Sequence, residues 1–353
     1  MLGFGIALPF PPPLDPMLAK LARSVPRGPY LYEPKWDGFR IVVFRDGDEI
    51  YLQSRDSRPF LRYFPELVQP LRDALPDRAI VDGEVVVAIG GRLEFDALQL
   101  RLHPAASRVA KLAEETPAAV ILFDLVAIGD EDLRETPFVE RRKRLEAAVT
   151  PNASVRITPA TLDADTASDW FARFEGAGLD GVMCKPLDGI YEPGKRSLIK
   201  TKRERTIECA VAGFRFHEKG GVGSLVLGLF DDAGNFQQIG VSAGFSVKLR
   251  QELVGILEPY REGALAEHPW GSDAGAEDER RPGMQSRWST KDMRWEPLRL
   301  ELVAEVQANQ LTGGRLRHPA HFLRFRPDKQ AHDCRYDQLE EVSAALLTDL
   351  FGG

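Results

Sequence analysis

A chain of 353 residues, 43% hydrophobic and 28% charged, holds material for two or three domains that each bury a core. Its formal net charge of −7 excludes blanket attraction to polyanions but not a local basic surface, and three cysteines (Cys184, Cys209, Cys334) with six scattered histidines make neither a disulfide framework nor a zinc motif. No apolar run approaches the length of a bilayer span, and the opening stretch lacks the basic flank and cleavage site of a secretion signal, so a cytoplasmic protein without membrane contact is expected.

Residues 1–27 are rich in proline, with Pro11 to Pro13 consecutive, and read as an extended arm with one helical turn around 17–23. Residues 31–34 and 39–44 read as short strands, which makes Lys35-Trp36-Asp37-Gly38 the turn between them. Asp46-Gly47 marks a hairpin between 41–44 and 49–54, and Arg55 emerges where its second strand ends. Helical spacing at 64–75 precedes a strand at 79–89, into which Asp82-Gly83-Glu84 brings acidic residues. After a helical region at 95–115, the apolar run 118–128 reads as a buried strand whose Asp124 needs a partner. Helices are expected at 138–149 and 166–177, the second capped by Asp163 or Asp165. Strand returns at 181–185 and 198–203, where the alternation LIKTKR puts Lys200 and Lys202 on one face.

Near residue 205 the pattern changes to short strands at 209–216, 224–230, 236–243 and 298–307 with a helix at 247–260 among them. That spacing suggests a small Greek-key barrel of the oligonucleotide-binding type. The expected domains are therefore 1–205 and 206–353. Residues 262–295, polar and glycine-rich, read as a mobile loop, and 315–329 as a basic stretch.

A lysine on a tight turn such as that of Lys35 can reach into a cleft. To act as a nucleophile it must lose its proton near neutral pH, which needs desolvation or neighbouring positive charge; Trp36 and later basic residues are the candidates for each. Taken alone, the same tetrapeptide is also an ordinary hairpin turn with a solvated lysine. Likewise Lys200 and Lys202 also suit a guarded edge strand, Phe123 a core aromatic, and Asp180-Gly181 a turn.

In chain order, Lys35-Trp36-Asp37-Gly38, Ser54-Arg55, Asp82-Gly83-Glu84, Phe123-Asp124, Asp180-Gly181-Val182-Met183, Lys200-Thr201-Lys202 and Arg326-Pro327-Asp328-Lys329 resemble motifs I, Ia, III, IIIa, IV, V and VI of the covalent nucleotidyltransferases, and within them the ATP-dependent DNA ligases. The resemblance spans nearly the whole chain. It implies an α+β fold, an adenylation domain of antiparallel sheets and helices followed by an OB-fold barrel, and it implies sealing of 5'-phosphate and 3'-hydroxyl ends in duplex DNA through AMP carried covalently on Lys35. Attack of an uncharged amine on the α-phosphorus of ATP expels pyrophosphate, so cations must surround the developing charge.

By the same resemblance, Lys200 and Lys202 bind the α-phosphate, Phe123 and Glu33 meet adenine, and Glu84 meets the ribose. Arg40 and Arg55 look like the arginines that bind ribose or phosphate and the 5'-phosphate end. Asp37, Glu84 and Asp180 are the candidates for Mg2+ or Mn2+, Asp180 standing where the family usually has glutamate. Arg326, Asp328 and Lys329, with Arg324, match the group presented to pyrophosphate. The Lys-Trp-Asp-Gly-Phe-Arg run, Arg317-His318-Pro319 and Tyr336-Asp337-Gln338-Leu339 look most like the small stand-alone bacterial repair ligases often called C-type. They imply a monomer in the cytoplasm, near the nucleoid, working on nicked or broken duplex DNA with a Ku-like or primase-polymerase partner. Lys248, Arg250, Arg287 and Lys291 are expected to add phosphate contacts. An RNA ligase or a capping guanylyltransferase shares the lysine chemistry, and a duplex-binding module with a decayed site is the non-catalytic alternative.

Overall fold

The strand Phe39–Asp46 is buried on both faces along most of its length, which is possible only at the centre of a layered structure. The computed structural model, which describes residues 8–103, 105–173, 177–179, 181–202, 205–266, 268–271, 294–308, 311–312, 314–316, 318–339 and 347, shows the layers. Contacts divide the chain into two compact units, Met1–Arg203 with Glu341–Gly353 and Glu204–Glu340. Leu347 accordingly joins the first unit, packing with Trp36, Val86 and Ile121, whereas the sequence reading put all of 206–353 in the second domain.

The first unit holds a seven-stranded sheet whose main path runs Glu49–Ser54, Phe39–Asp46, Arg78–Ile89, Ala118–Ile128 and Glu131–Asp132. Because side chains alternate across a strand, Ile41, Val43, Val81 and Val85 enter one core with Leu71, Leu98 and Leu145 from the helices Val68–Ala74, Phe95–Leu100 and Phe138–Ala148. Val42, Phe44 and Ile80 point the other way and meet Leu14, Met17, Met183, Tyr191 and Leu198. Those residues belong to, or border, a second sheet of four strands in the order Ala19–Ala22, Leu198–Lys202, Gly181–Pro186 and Tyr30–Lys35. Its outer face carries Tyr32, Val182 and Cys184 against Ala164 and Ala167 of the helix Ala164–Arg173. The two sheets of the first unit therefore pack face to face.

Two local expectations are corrected here. The helical turn expected at 17–23 is instead the strand Ala19–Ala22, paired in parallel with Leu198–Thr201, because the outer edge of that strand leaves backbone groups that an extended segment satisfies. The helix expected at 64–75 begins as a 3-10 turn, Pro65–Leu67, and becomes α-helical at Val68–Ala74. The hairpin at Asp46-Gly47, the strands at 79–89 and 118–128 and the cap at Asp163, whose carboxylate accepts from the backbone of Asp165 and Thr166, are as the sequence predicts.

In the second unit a sheet runs Phe236–Ala243, Val222–Phe230, Arg205–Phe216, Val303–Ala308 and His321–Phe325. It closes on itself where Ala320, next to the last strand, bonds Val241 and Ala243 of the first through its N–H and carbonyl. A closed five-strand path with the capped helix Val247–Leu257 is a small OB-type barrel. The strand His321–Phe325 lies inside the stretch that the sequence marks only as basic. Within the stretch 262–295, expected as a mobile loop, the described residues Ala264, His268 and Trp270 are buried, and Trp270 stacks on Phe236 at 4.7 Å while donating its indole N–H to the Phe236 carbonyl at 2.8 Å. Polar composition concealed these anchors. No helix among the described residues is long and apolar enough to cross a membrane.

Candidate active site

Lys35 ends the strand Tyr30–Lys35, and its register partner is Gly181; on the other side of Gly181 the partner is Lys202. Two rows further along, Glu33 pairs with Met183, and Met183 with Lys200. Paired residues point to the same side of a sheet and alternate residues share a face, so Lys35, Glu33, Lys200 and Lys202 all face the seven-stranded sheet, as Met183 does. Lys35 and Lys202 stand two strand spacings apart, about 10 Å between backbones, with a glycine between them. That glycine is obligatory. Its φ is +143°, and a Cβ there would lie 1.9 Å from the Thr201 carbonyl oxygen.

The turn after Lys35 is held from both ends. Trp36 is buried with Val86, Leu93 and Ile121 and donates to Thr158 Oγ1 at 2.8 Å. Gly38 donates its backbone N–H to Glu84 at 3.2 Å, in a space so close that a Cβ would fall 2.2 Å from the Val85 carbonyl. Glu84 thus comes from the facing sheet to the base of the turn. Burial pushes its carboxyl up to about 7, with Lys35 and Arg40 drawing it down and Asp37 pushing it up. Lys35, Asp37, Arg40 and Glu84 therefore form one electrostatic cluster, as the sequence set implies.

Arg40 grips Asp82 through two bonds of 2.6 and 2.7 Å, and Tyr191 donates its hydroxyl to the same carboxylate at 2.7 Å. The guanidinium lies 4.4 Å from the ring centre of Phe123. Phe123 occupies a special position: Asp82 pairs with Asp124 and Gly83 with Leu122, so Phe123 is the extra residue of a β-bulge. Before the bulge Val120 and Leu122 face the helices, and after it Leu125 does, so the bulge swaps the facing of the strand. Asp124 consequently turns inward, where Arg141 meets it at 2.8 and 2.9 Å and also bonds the Gly189 carbonyl. This is the partner the sequence demanded.

Glu33 is itself buried, with Lys185 on one oxygen at 2.8 Å and Arg142 on the other at 3.0 Å. Arg55 follows the strand Glu49–Ser54 on the surface. In the second unit, Arg326 and Asp328 form a two-bond pair at 2.6 and 2.8 Å; Arg326 also bonds Glu208, and Lys329 lies 3.1 Å from that same carboxylate. Arg324 pairs with Glu305 at 2.6 Å. Gln338 clamps the backbone of Glu208 from both sides, accepting from its N–H at 3.0 Å and donating to its carbonyl at 3.2 Å. Asp180, Arg287 and Lys291 lie outside the described residues. Lys248 is exposed on the barrel helix, 3.7 Å from Glu252, and Arg250 follows it on the same helix.

Sequence reasoning missed Lys185, Arg142, Tyr191, Glu208 and Glu305, and passed Asp82 only as part of a motif. Lys185 alone carried a signal, a charge closing an otherwise apolar strand; the others are paired only by tertiary contact. Among the described residues no three carboxylate, histidine or cysteine groups gather as a metal cage. The chemistry of the donors nevertheless suits Mg2+, which uses one or two carboxylates with waters and substrate phosphates, because Asp37 and Glu84 repel one another beside Lys35 and a cation relieves that repulsion.

Comparison with known proteins finds two matching family models in order: an ATP dependent DNA ligase domain over residues 16–202 and an ATP dependent DNA ligase C terminal region over 218–329. DNA ligase C2 of Mycolicibacterium smegmatis is 50% identical over 341 residues, covering 94% of this chain and 96% of the relative. DNA ligase C of Mycobacterium tuberculosis is 46% identical over 356 residues, covering 98% and 99%. Among solved structures, a Lig E DNA ligase superposes with a TM-score of 0.55 at 19% identity over 88% of this chain and 99% of that one, a likeness of fold.

Proposed function

Because this chain belongs to the ATP-dependent DNA ligases, we propose that it seals nicked or broken duplex DNA with Lys35 as the nucleophile that carries AMP. The observation that supports this assignment is the register itself: the rows Lys202–Gly181–Lys35 and Lys200–Met183–Glu33 bring three lysines and one carboxylate to a single sheet face.

The neutral amine of Lys35 attacks the α-phosphorus of ATP, and pyrophosphate leaves. Lys200 and Lys202 stabilise the charge that develops on the α-phosphate. Glu33 receives the base and Phe123 shelves it; Glu84 and Arg40 meet the sugar and phosphate. Two cations already lie over Phe123 and the ring is 7% exposed, so a base reaches it at its edge or by displacing Arg40. Asp37, Glu84 and Asp180 would hold Mg2+, which supplies charge neutralisation on the phosphates when bound. Arg326, Asp328 and Lys329 serve the departing pyrophosphate, and Arg55 the 5'-phosphate of the nick. AMP then passes to that phosphate, and the 3'-hydroxyl displaces it. Cooperation with a Ku-like or primase-polymerase protein, as a monomer in the bacterial cytoplasm, completes the proposal.

The test is incubation with labelled ATP or GTP and Mg2+ followed by denaturing electrophoresis, for the natural chain and for Lys35→Ala. Label from ATP that vanishes in a folded Lys35→Ala protein is expected. Label retained in that variant removes Lys35 as nucleophile, and label from GTP favours the capping alternative. Sealing of an all-DNA nick is expected to exceed sealing of one whose 5'-phosphate strand is RNA, since A-form geometry changes the groove to be tracked.

A further inference from the structure

Two buried cations next to this site have no part in the reaction just described. Lys185 Nζ sits 2.8 Å from Glu33 Oε2 and donates at 3.0 Å to the backbone carbonyl of Phe123. Arg142 Nη1 donates at 3.0 Å to Glu33 Oε1, while Nη2 donates at 2.7 Å to the carbonyl of Thr158 and Nε at 2.6 Å to Glu146. Thr158 in turn receives the indole of Trp36, the residue after the nucleophile. Glu33, Lys185 and Arg142 are all less than a tenth exposed.

A carboxylate with a different cation on each oxygen is held from rotating. It stays a fixed acceptor. Lys185 adds a second constraint, since its bond to the Phe123 carbonyl fixes the separation between that acceptor and the aromatic shelf. Adenine offers an exocyclic amine, a donor, where guanine offers a carbonyl, an acceptor. A carboxylate oxygen held in place as an acceptor is satisfied by the first and left facing lone pairs by the second. A site built around a specific hydrogen bond rejects the ligand that lacks it far more strongly than an apolar pocket can.

We propose that Lys185 and Arg142 are positioning residues that set nucleotide specificity: by fixing the orientation of the Glu33 carboxylate and tying it to Phe123, they select a purine carrying an exocyclic amine, ATP, over one carrying a carbonyl, GTP. The inference rests on the reading of Glu33, Lys35 and Phe123 as the nucleotide site. Lys185→Met keeps the bulk of the side chain without its charge, and Arg142→Gln removes the partner of the other oxygen.

The experiment measures the rate of covalent labelling of the full chain as a function of ATP and of GTP concentration. Both variants are expected to raise the KM for ATP and lower the ATP-over-GTP ratio of kcat/KM by about tenfold or more, with kcat for ATP within about threefold of the natural chain. Lys185→Arg, which restores a cation, is expected to recover part of the ratio. If Lys185→Met does not fold, Arg142→Gln carries the test. An unchanged ratio in the folded variants would overturn the proposal. So would a loss of kcat, folding or labelling by both nucleotides alike in both variants, because that assigns the cations to the scaffold. The underlying site reading fails separately, if Lys35→Ala keeps its label.

Discussion

At the scale of single residues the site depends as much on what is missing as on what is present. Gly181 lets Lys35 and Lys202 flank a strand that carries no side chain between them, and its backbone adopts a conformation that alanine resists. Gly181→Ala is therefore expected to push the Gly181–Pro186 and Leu198–Lys202 strands apart. Overpacking and left-handed strain together predict a loss of about 2 to 4 kcal/mol in denaturant unfolding, with self-adenylation reduced more than a surface substitution of equal destabilisation. If the variant labels like the natural chain, the row of lysines does not need the close approach.

At the scale of elements, the bulge at Phe123 shows how one extra residue re-aims a strand. Asp124 is turned inward by it and gripped by Arg141 through two bonds, so Asp124→Ala leaves a buried guanidinium without its carboxylate. The expected cost is about 3 to 5 kcal/mol, measurable by urea unfolding, because removing one partner of a buried pair strands the other. A loss below about 1 kcal/mol would show that Arg141 is sufficiently held by its carbonyl partners. In the barrel, His268 bonds the Ala212 carbonyl through Nε2 and accepts the Trp270 N–H at Nδ1, an arrangement that requires the neutral ring. Burial holds its pKa below the ordinary value of 6.5 although the bond to Ala212 acts the other way. The unfolded chain then takes up a proton before the folded one does, so the stability His268 contributes is present above about pH 6.5 and is lost as pH falls below it. Melting of the natural chain between about pH 7.5 and 5 is expected to drop more steeply than that of His268→Gln; parallel curves would remove His268 from the pH response.

At the scale of the whole molecule, the motif residues are divided between two compact units. The lysine, carboxylate and aromatic groups sit between the sheets of the first, while Arg326, Asp328 and Lys329 are gathered around Glu208 on the second. If the second group serves pyrophosphate, Arg326→Ala should slow adenylation by ATP by about a hundredfold and sealing of a pre-adenylated nick by less than about tenfold, as pyrophosphate is absent from the later reaction. Equal losses in the two assays would place Arg326 in a step common to both.

The sequence alone determined the motif order, the lysine turn, the hairpin at Asp46-Gly47, the paired facing of Lys200 and Lys202, and the need of Asp124 for a partner. These are legible because they follow from local rules: turn chemistry, a side-chain period of two, and the cost of a buried charge. Only tertiary structure decided that Lys185 and Arg142 hold Glu33, that Tyr191 and Asp82 hold Arg40, that Glu208 gathers Arg326 and Lys329, and that Ala19–Ala22 is a strand. Lys185 and Arg142 lie 152 and 109 positions from Glu33, and no local period relates them. Their pairing is fixed by the register of the sheets and by the packing of the helix Phe138–Ala148, in which buried charges must find one another.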